Sequence, residues 1–230
     1  MDGNTWFRYR WVTHRGDDSP FYLEPWNSQA YPAFFLNSGF RPIAEYESSL
    51  VSDLSIQDPR LPKLHERLMR NQVQFRPLDL ERLEMDLQAL HELSLAAFKD
   101  NLFYTPIELD TFMSLYLPFR DAIRPEFTLL AFHESTLIGF CFALPDAARL
   151  NAGYNLDTLI IKTIAVRPDR RFAGLGSWMV EQMHLRAAKA GMNRVIHALK
   201  AVSNRSQNIT TKYRGSCLRQ YQLFAKSLEV

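Results

Sequence analysis

The chain has 230 residues, 47% of them hydrophobic and 23% charged, with a net charge of +2 at pH 7. This length fits one large domain or one domain plus a fragment, and the composition excludes global disorder. The small net charge argues against a general nucleic-acid binder, and two cysteines make neither a disulfide framework nor a zinc site.

The first fifty residues are rich in aromatics. Trp6 to Thr13 and Pro20 to Trp26 read as strands around the turn-forming run Arg15-Gly16-Asp17-Asp18-Ser19. Asn27 reads as a helix N-cap, Tyr31 to Leu36 as a short helix ended by Asn37-Ser38-Gly39, and Arg41 to Val51 as a strand. Ser52 to Pro62 is polar, with two prolines, and reads as a linker; Lys63 to Asn71 suits a short connecting helix. Val73 to Pro77 is a short alternating strand. Asp79 can cap a helix in which Leu83, Leu87 and Leu90 recur at helical spacing. Thr105 and Pro106 suit the start of a second helix running to Leu117. Phe127 to His133 and Leu137 to Leu144 form a β-hairpin about Glu134-Ser135, and Leu156 to Val166 a long apolar strand. A helix from Gly174 to Ala190 follows, ended by Gly191. Then come a strand from Val195 to Ala201, a short helix from Asn204 to Lys212, and a last strand from Cys217 to Ala225. This order predicts an α/β (α+β) fold with a mixed sheet and at least one strand–helix–strand crossover. No apolar run reaches the roughly 18 residues that span a bilayer, and the N-terminus lacks the pattern of a signal peptide. A cytoplasmic setting without membrane partner or metal is expected.

The chemically informative stretch is Ile161 to Trp178. It combines a β-branched strand, a proline stop at Pro168, the loop Arg171-Phe172-Ala173-Gly174-Leu175-Gly176, and the amphipathic helix that runs from Gly174. A helix N-terminus exposes unpaired N–H groups and partial positive charge. Glycines let backbone come close to a phosphate, and Arg170 and Arg171 add charge-assisted donors. No Gly-Lys-Ser/Thr follows, so this is not a P-loop, and the glycines do not spell the dinucleotide fingerprint.

Arg171, Gly174 and Gly176 fill the Arg/Gln-x-x-Gly-x-Gly/Ala pattern, and the chain resembles the GNAT acyltransferase superfamily, with a mostly antiparallel sheet flanked by helices. The resemblance implies acetyl-CoA, or another acyl-CoA, as cosubstrate and an amine as acceptor. It places Ile164, Ala165 and Val166 along the pantetheine arm, the loop from Arg171 to Gly176 with Ser177 at the pyrophosphate, and Asn204 as a further contact to the arm. It also implies Tyr213 as the acid that protonates the leaving thiolate. Here the sequence departs from the superfamily, since Tyr213 sits later than the usual tyrosine and Thr211 stands in that place. Asp157, Thr163 and His197 are the residues weighed as general base, with a satisfied strand histidine the simpler role for His197.

The run from Pro20 to Val51 resembles the first-domain ending of bacterial proteins with two such domains in tandem. Residues 1–57 then read as a partial GNAT-like segment, 58–71 as linker and connecting helix, and 72–230 as the acyltransferase domain. Asn27…Gly39-Phe40 before a strand echoes Asn204…Gly215 before a strand. A segment so small buries too little surface to stand alone. Trp6, Trp11, Phe21, Trp26, Phe34 and Phe40 are therefore expected to pack against the rest of the chain or a second copy in a homodimer. Two rivals to an N-acetyltransferase remain: a non-catalytic acyl-CoA-binding or scaffold module, and aminoacyl transfer from tRNA, which the weak charge opposes.

Overall fold

Glycine and proline punctuate the chain into eight strands and seven α-helices in the computed structural model, which describes residues 10–102, 104–202 and 207–228. In chain order these begin with β1 (Trp11–His14), α1 (Tyr31–Asn37), β2 (Arg41–Val51), α2 (Leu61–Arg70) and β3 (Val73–Pro77). Next come α3 (Leu83–Phe98), α4 (Leu109–Tyr116), β4 (Thr128–His133), β5 (Thr136–Pro145) and α5 (Ala147–Asn151). The chain closes with β6 (Thr158–Val166), α6 (Leu175–Lys189), β7 (Arg194–Ala201), α7 (Gln207–Lys212) and β8 (Ser216–Ala225). The strands form a mixed sheet in the order β1-β8-β2-β7-β6-β5-β4-β3, flanked by helices as the sequence predicts.

The chain divides into two compact units. One holds Met1–Ile56, Pro145–Ile160 and Met192–Val230, the other Gln57–Leu144 and Ile161–Gly191. In the first unit β2 runs antiparallel to both β7 and β8, with Tyr46 opposite Ala201 on one side and Tyr221 on the other. β1 pairs with the outer side of β8. Apolar clusters pack within this unit. Phe21 packs with Ile160, Ile196, Ala198 and Leu218, and Val12 packs with Tyr46, Tyr221 and Leu223. Trp11, Phe35 and Phe40 join Phe224 in an aromatic chain, whereas Trp26 and Phe34 stay 43% and 60% exposed. Trp6 lies outside the described residues.

Pro20 to Trp26 forms no strand. Glu24 N–H donates to the Phe21 carbonyl and Phe21 N–H to the Glu24 carboxylate, closing a turn. The Glu24 carboxylate is buried, where it takes the Arg219 guanidinium at 2.9 Å and the Tyr221 hydroxyl. This ion pair decides the local conformation over strand propensity. Asn27 does not cap α1. Its Oδ1 accepts from the Val12 amide at 2.7 Å, and α1 starts at Tyr31 with Pro32 in its first turn.

The second unit stacks β3, β4 and β5 as antiparallel neighbours, with Leu130 opposite Arg76 and Phe140. Helix α6 buries Leu175, Met179, Met183 and Ala187 completely, each of the larger side chains contributing about 1.5–3 kcal/mol. The start of α4 differs from the expected cap at Thr105. His91 Nε2 hydrogen-bonds the Ile107 carbonyl at 2.7 Å, and the helix begins only after the extended Glu108. Helix α5 is an element the apolar periodicity did not predict, and it belongs to the first unit. It is capped by Asp146, whose side chain accepts from Ala148 N–H.

Candidate acyl-CoA site

In the second unit, β6 ends at Val166, and Asp169 caps a short 3-10 turn over Arg170–Phe172 by accepting from Arg171 N–H at 2.8 Å. Phe172 is 1% exposed, with its ring 5.4 Å from that of His133, so it anchors the turn from below. Ala173 and Gly174 lie at the surface. Gly174 has φ +90°, a conformation that disfavours a side chain, and it is the N-cap of α6. The first α6 bond runs from Trp178 N–H to the Gly174 carbonyl. The Leu175 and Gly176 amides come ahead of this bond, at the helix N-terminus.

Leu175 is buried beneath this turn, and Gly176 and Ser177 are half-buried. A Cβ added at Gly176 would meet only Ile164 Cγ2 and Val166 Cγ2, both at 3.6 Å. Ile164 and Val166 thus face the start of α6, while Ala165 is buried. Such an opening suits an anion beside backbone N–H groups. The Arg171 guanidinium is folded onto Asp169, with Nη2 at 2.7 Å and Nε at 2.9 Å from the carboxylate. The bond from Arg171 holds the Asp169 carboxyl below its usual range. Arg171 is 63% exposed on its side chain, so it can exchange this partner for a phosphate without crossing a packed interior.

The first unit holds the other implied residues. Tyr213 follows α7 and is 1% exposed, with its ring 6.5 Å from that of His197. Asn204 lies outside the described residues. Around His197 is a buried polar network. Its Nδ1 is 2.9 Å from Thr210 Oγ1, which also accepts from Lys200 Nζ at 2.8 Å. Lys200 donates to Ser49 Oγ at 2.7 Å, and Ser49 donates in turn to Glu47. Burial pushes the Lys200 ammonium below its ordinary pKa, and nearby Glu47 opposes that shift. β7 carries one extra residue against β2 between the Glu47 and Ser49 pairings. Leu199 takes φ +48° in this bulge and donates its N–H to Ser48 Oγ at 3.1 Å.

The family model described as Acetyltransferase (GNAT) family matches residues 87–215, more than half of the chain. The chain belongs to the GNAT acetyltransferase family. Solved structures agree with the fold. The GCN5-related N-acetyltransferase from Sphaerobacter thermophilus superposes with a TM-score of 0.59 at 15% identity, over 86% of this chain and 56% of its own. A glucosamine N-acetyltransferase region of a fungal multi-domain GH3 β-N-acetylglucosaminidase gives 0.61 at 13% identity, over 86% of this chain and 23% of that one. A tandem GNAT protein from the clavulanic acid biosynthesis pathway gives 0.57 at 11% identity, over 94% of this chain and 62% of its own. This chain therefore spans less than two thirds of each of these neighbours. No curated protein matches it in sequence.

GNAT membership brings acyl-CoA as the family's general cosubstrate. Among the described residues no cluster of His, Cys, Asp or Glu could hold a metal ion, and no helix is long and apolar enough to cross a membrane. Of the residues weighed as base, Asp157 is engaged by Arg149 at 2.9 Å and by Thr158 at 2.7 Å. Burial would raise its pKa, but these bonds and the Arg149 charge outweigh that and lower it. His197 has the hydrogen-bonded interior position of a satisfied strand histidine. Periodicity alone missed the Lys200–Ser49–Glu47 network. Its trace in the sequence is polar residues at adjacent places in strands, Glu47-Ser48-Ser49 in β2 and Lys200 at the end of β7.

Proposed function

We propose that this GNAT chain moves an acyl group, acetyl in the simplest case, from acyl-CoA to an amine. The observation that carries this reading is the opening turn of α6, capped by Gly174 at φ +90° and open beside Gly176. The amides there, with Arg171 and Ser177 at the rim, would take the pyrophosphate. The backbone of Ile164 to Val166 would pair with the pantetheine arm as an added strand, with Asn204 a further contact. Acyl-CoA supplies an activated acyl carbon. The amine must arrive neutral, and the departing thiolate must gain a proton. Tyr213 is the donor we assign by resemblance. The free thiols Cys141 and Cys217 agree with a cytoplasmic, reducing setting.

We also read residues 1–57 as the end of a preceding GNAT-like domain, 58–71 as the connector, and 72–230 as the acyltransferase domain. Helix α1, Gly39 and β2 repeat the order of α7, Gly215 and β8, which supports this reading.

The buried position of Tyr213, together with Thr211 at the usual tyrosine position, favours a second reading as a non-catalytic acyl-CoA-binding module. A panel of amine acceptors incubated with acetyl-CoA and longer acyl-CoAs, followed by free thiol release, separates the two. Acceptor-dependent release above the protein-free rate establishes catalysis. Acyl-CoA binding without release establishes the module.

A further inference from the structure

Helix α2 lies before the residues that match the family, yet it is built onto the loop assigned to the pyrophosphate. Leu61 and Leu68 are buried, and they set the helix face that meets α6. His65 stacks on Trp178 at 5.1 Å with an interplanar angle of 4°. Just before the helix, Asp58 N–H donates to Glu181 on α6 at 2.8 Å. From this base three side chains reach the loop. Arg67 donates to the Ala173 carbonyl, and Asn71 Nδ2 donates to the Arg171 carbonyl at 3.1 Å. Leu64 Cδ2 lies 2.8 Å from where a Cβ on Gly174 would stand.

These contacts control which way the loop's peptides face. In a trans peptide the carbonyl and the following N–H point in opposite directions. Holding the Ala173 carbonyl toward α2 turns the Gly174 N–H away from it. If this peptide rotated, a carbonyl oxygen would face the anion in place of an N–H group. The loop carries two features that make rotation cheap, the glycine at 174 and high exposure of Ala173 and Gly174. Leu64 packs against the Cα of Gly174, with three of its carbons within 3.6 Å of a built Cβ.

We propose that α2 is a positioning element for acyl-CoA, with Arg67 and Asn71 holding the loop carbonyls away so that the α6 amides meet the pyrophosphate. This rests on the acyl-CoA reading above and adds a segment outside the family match to its binding apparatus. The effect is confined to substrates that carry a pyrophosphate.

The test compares wild type with Asn71→Asp and Arg67→Ala, in acetyl-CoA calorimetry and in thiol-release kinetics with acetyl-CoA and S-acetylpantetheine, which lacks the pyrophosphate. Asn71 is half-buried and Arg67 exposed, so both variants should fold, as checked by thermal melting. Arg67→Gln, which keeps a neutral donor, should restore part of the loss. The expected result is a Kd and KM for acetyl-CoA raised about ten-fold in Asn71→Asp and Arg67→Ala, consistent with loss of a charged or carbonyl hydrogen bond. Values of kcat and the kinetics with S-acetylpantetheine should stay within about two-fold, below the resolution of that single bond. Unchanged acetyl-CoA affinity, or equal weakening with both substrates, overturns the role of α2. Absence of acetyl-CoA binding by wild type overturns the reading beneath it and the role of α2 together.

Discussion

Gly174 and Gly176 look alike in the sequence, but the structure gives them different work. Gly174 needs its missing side chain for two reasons, a φ of +90° and Leu64 at 2.8 Å from a built Cβ. Gly174→Ala should therefore lower stability by about 1–2 kcal/mol, the cost of a left-handed residue, read as a shift in denaturant midpoint. Gly176→Ala should leave the midpoint unchanged, because a Cβ there makes ordinary contacts. Tyr213→Phe addresses the proposed proton donor. A lost general acid lowers kcat by about two to four decades without moving the KM for acyl-CoA, and wild-type turnover would remove Tyr213 from the chemistry. His184 is a pH-sensitive point of the interior. It is 1% exposed on α6, and burial depresses its pKa to about 4. Above the unfolded value of about 6.5 both states are neutral and its contribution is whole. As pH falls from there toward 4, the unfolded state takes the proton first and stability declines, by about 3 kcal/mol at the limit. Chemical denaturation from pH 7 to 4 should show this loss, and His184→Gln should reduce it.

At the scale of elements, the strand–loop–helix from Ile161 to Lys189 was legible in advance because its signals are local. They are β-branched residues, a proline stop, two glycines, and apolar residues at helical spacing. The hairpin of β4 and β5 was legible for the same reason. The elements that escaped are those fixed by distant partners. Pro20 to Trp26 has strand composition but turns so that Glu24 can meet Arg219 and Tyr221. Asn27 has capping chemistry but spends it on Val12. The Lys200 network joins residues 151 positions apart in sequence, beyond any spacing rule. Helix α5 is the exception, since Asp146 and Gly153 are cap signals that could have been found. The Arg219–Glu24 pair also gives an element-scale expectation. Both side chains are 0% exposed, so Arg219→Met alone should cost about 3–5 kcal/mol by leaving a buried carboxylate unpaired. Arg219→Met with Glu24→Leu should recover much of it. Equal losses in the single and double variants would assign the cost to packing.

For the whole molecule, the sheet order explains what the N-terminal segment contributes. β2 lies between β7 and β8 and hydrogen-bonds to both, so it is an interior strand of its unit. A chain starting near Ser52 would leave two apolar strands without their partner, and it should lose the cooperative thermal transition of the full chain. Retention of a cooperative melt would show that β7 and β8 can close on each other. The sequence made the family pattern visible, together with an echo between the N- and C-terminal segments, but not the insertion of one strand between two others, because antiparallel pairing partners carry no fixed separation. The proposed acyl-CoA site can be probed without disturbing the fold. Gly176→Asp places a carboxylate in the first turn of α6, where a Cβ fits and negative charge favours the helix. The same charge occupies the position assigned to the pyrophosphate. Calorimetric titration of acetyl-CoA should find binding by wild type and at least about 100-fold weaker binding by Gly176→Asp, at an unchanged melting temperature. Equal affinity in a folded Gly176→Asp variant would contradict the placement of acyl-CoA at the N-terminus of α6.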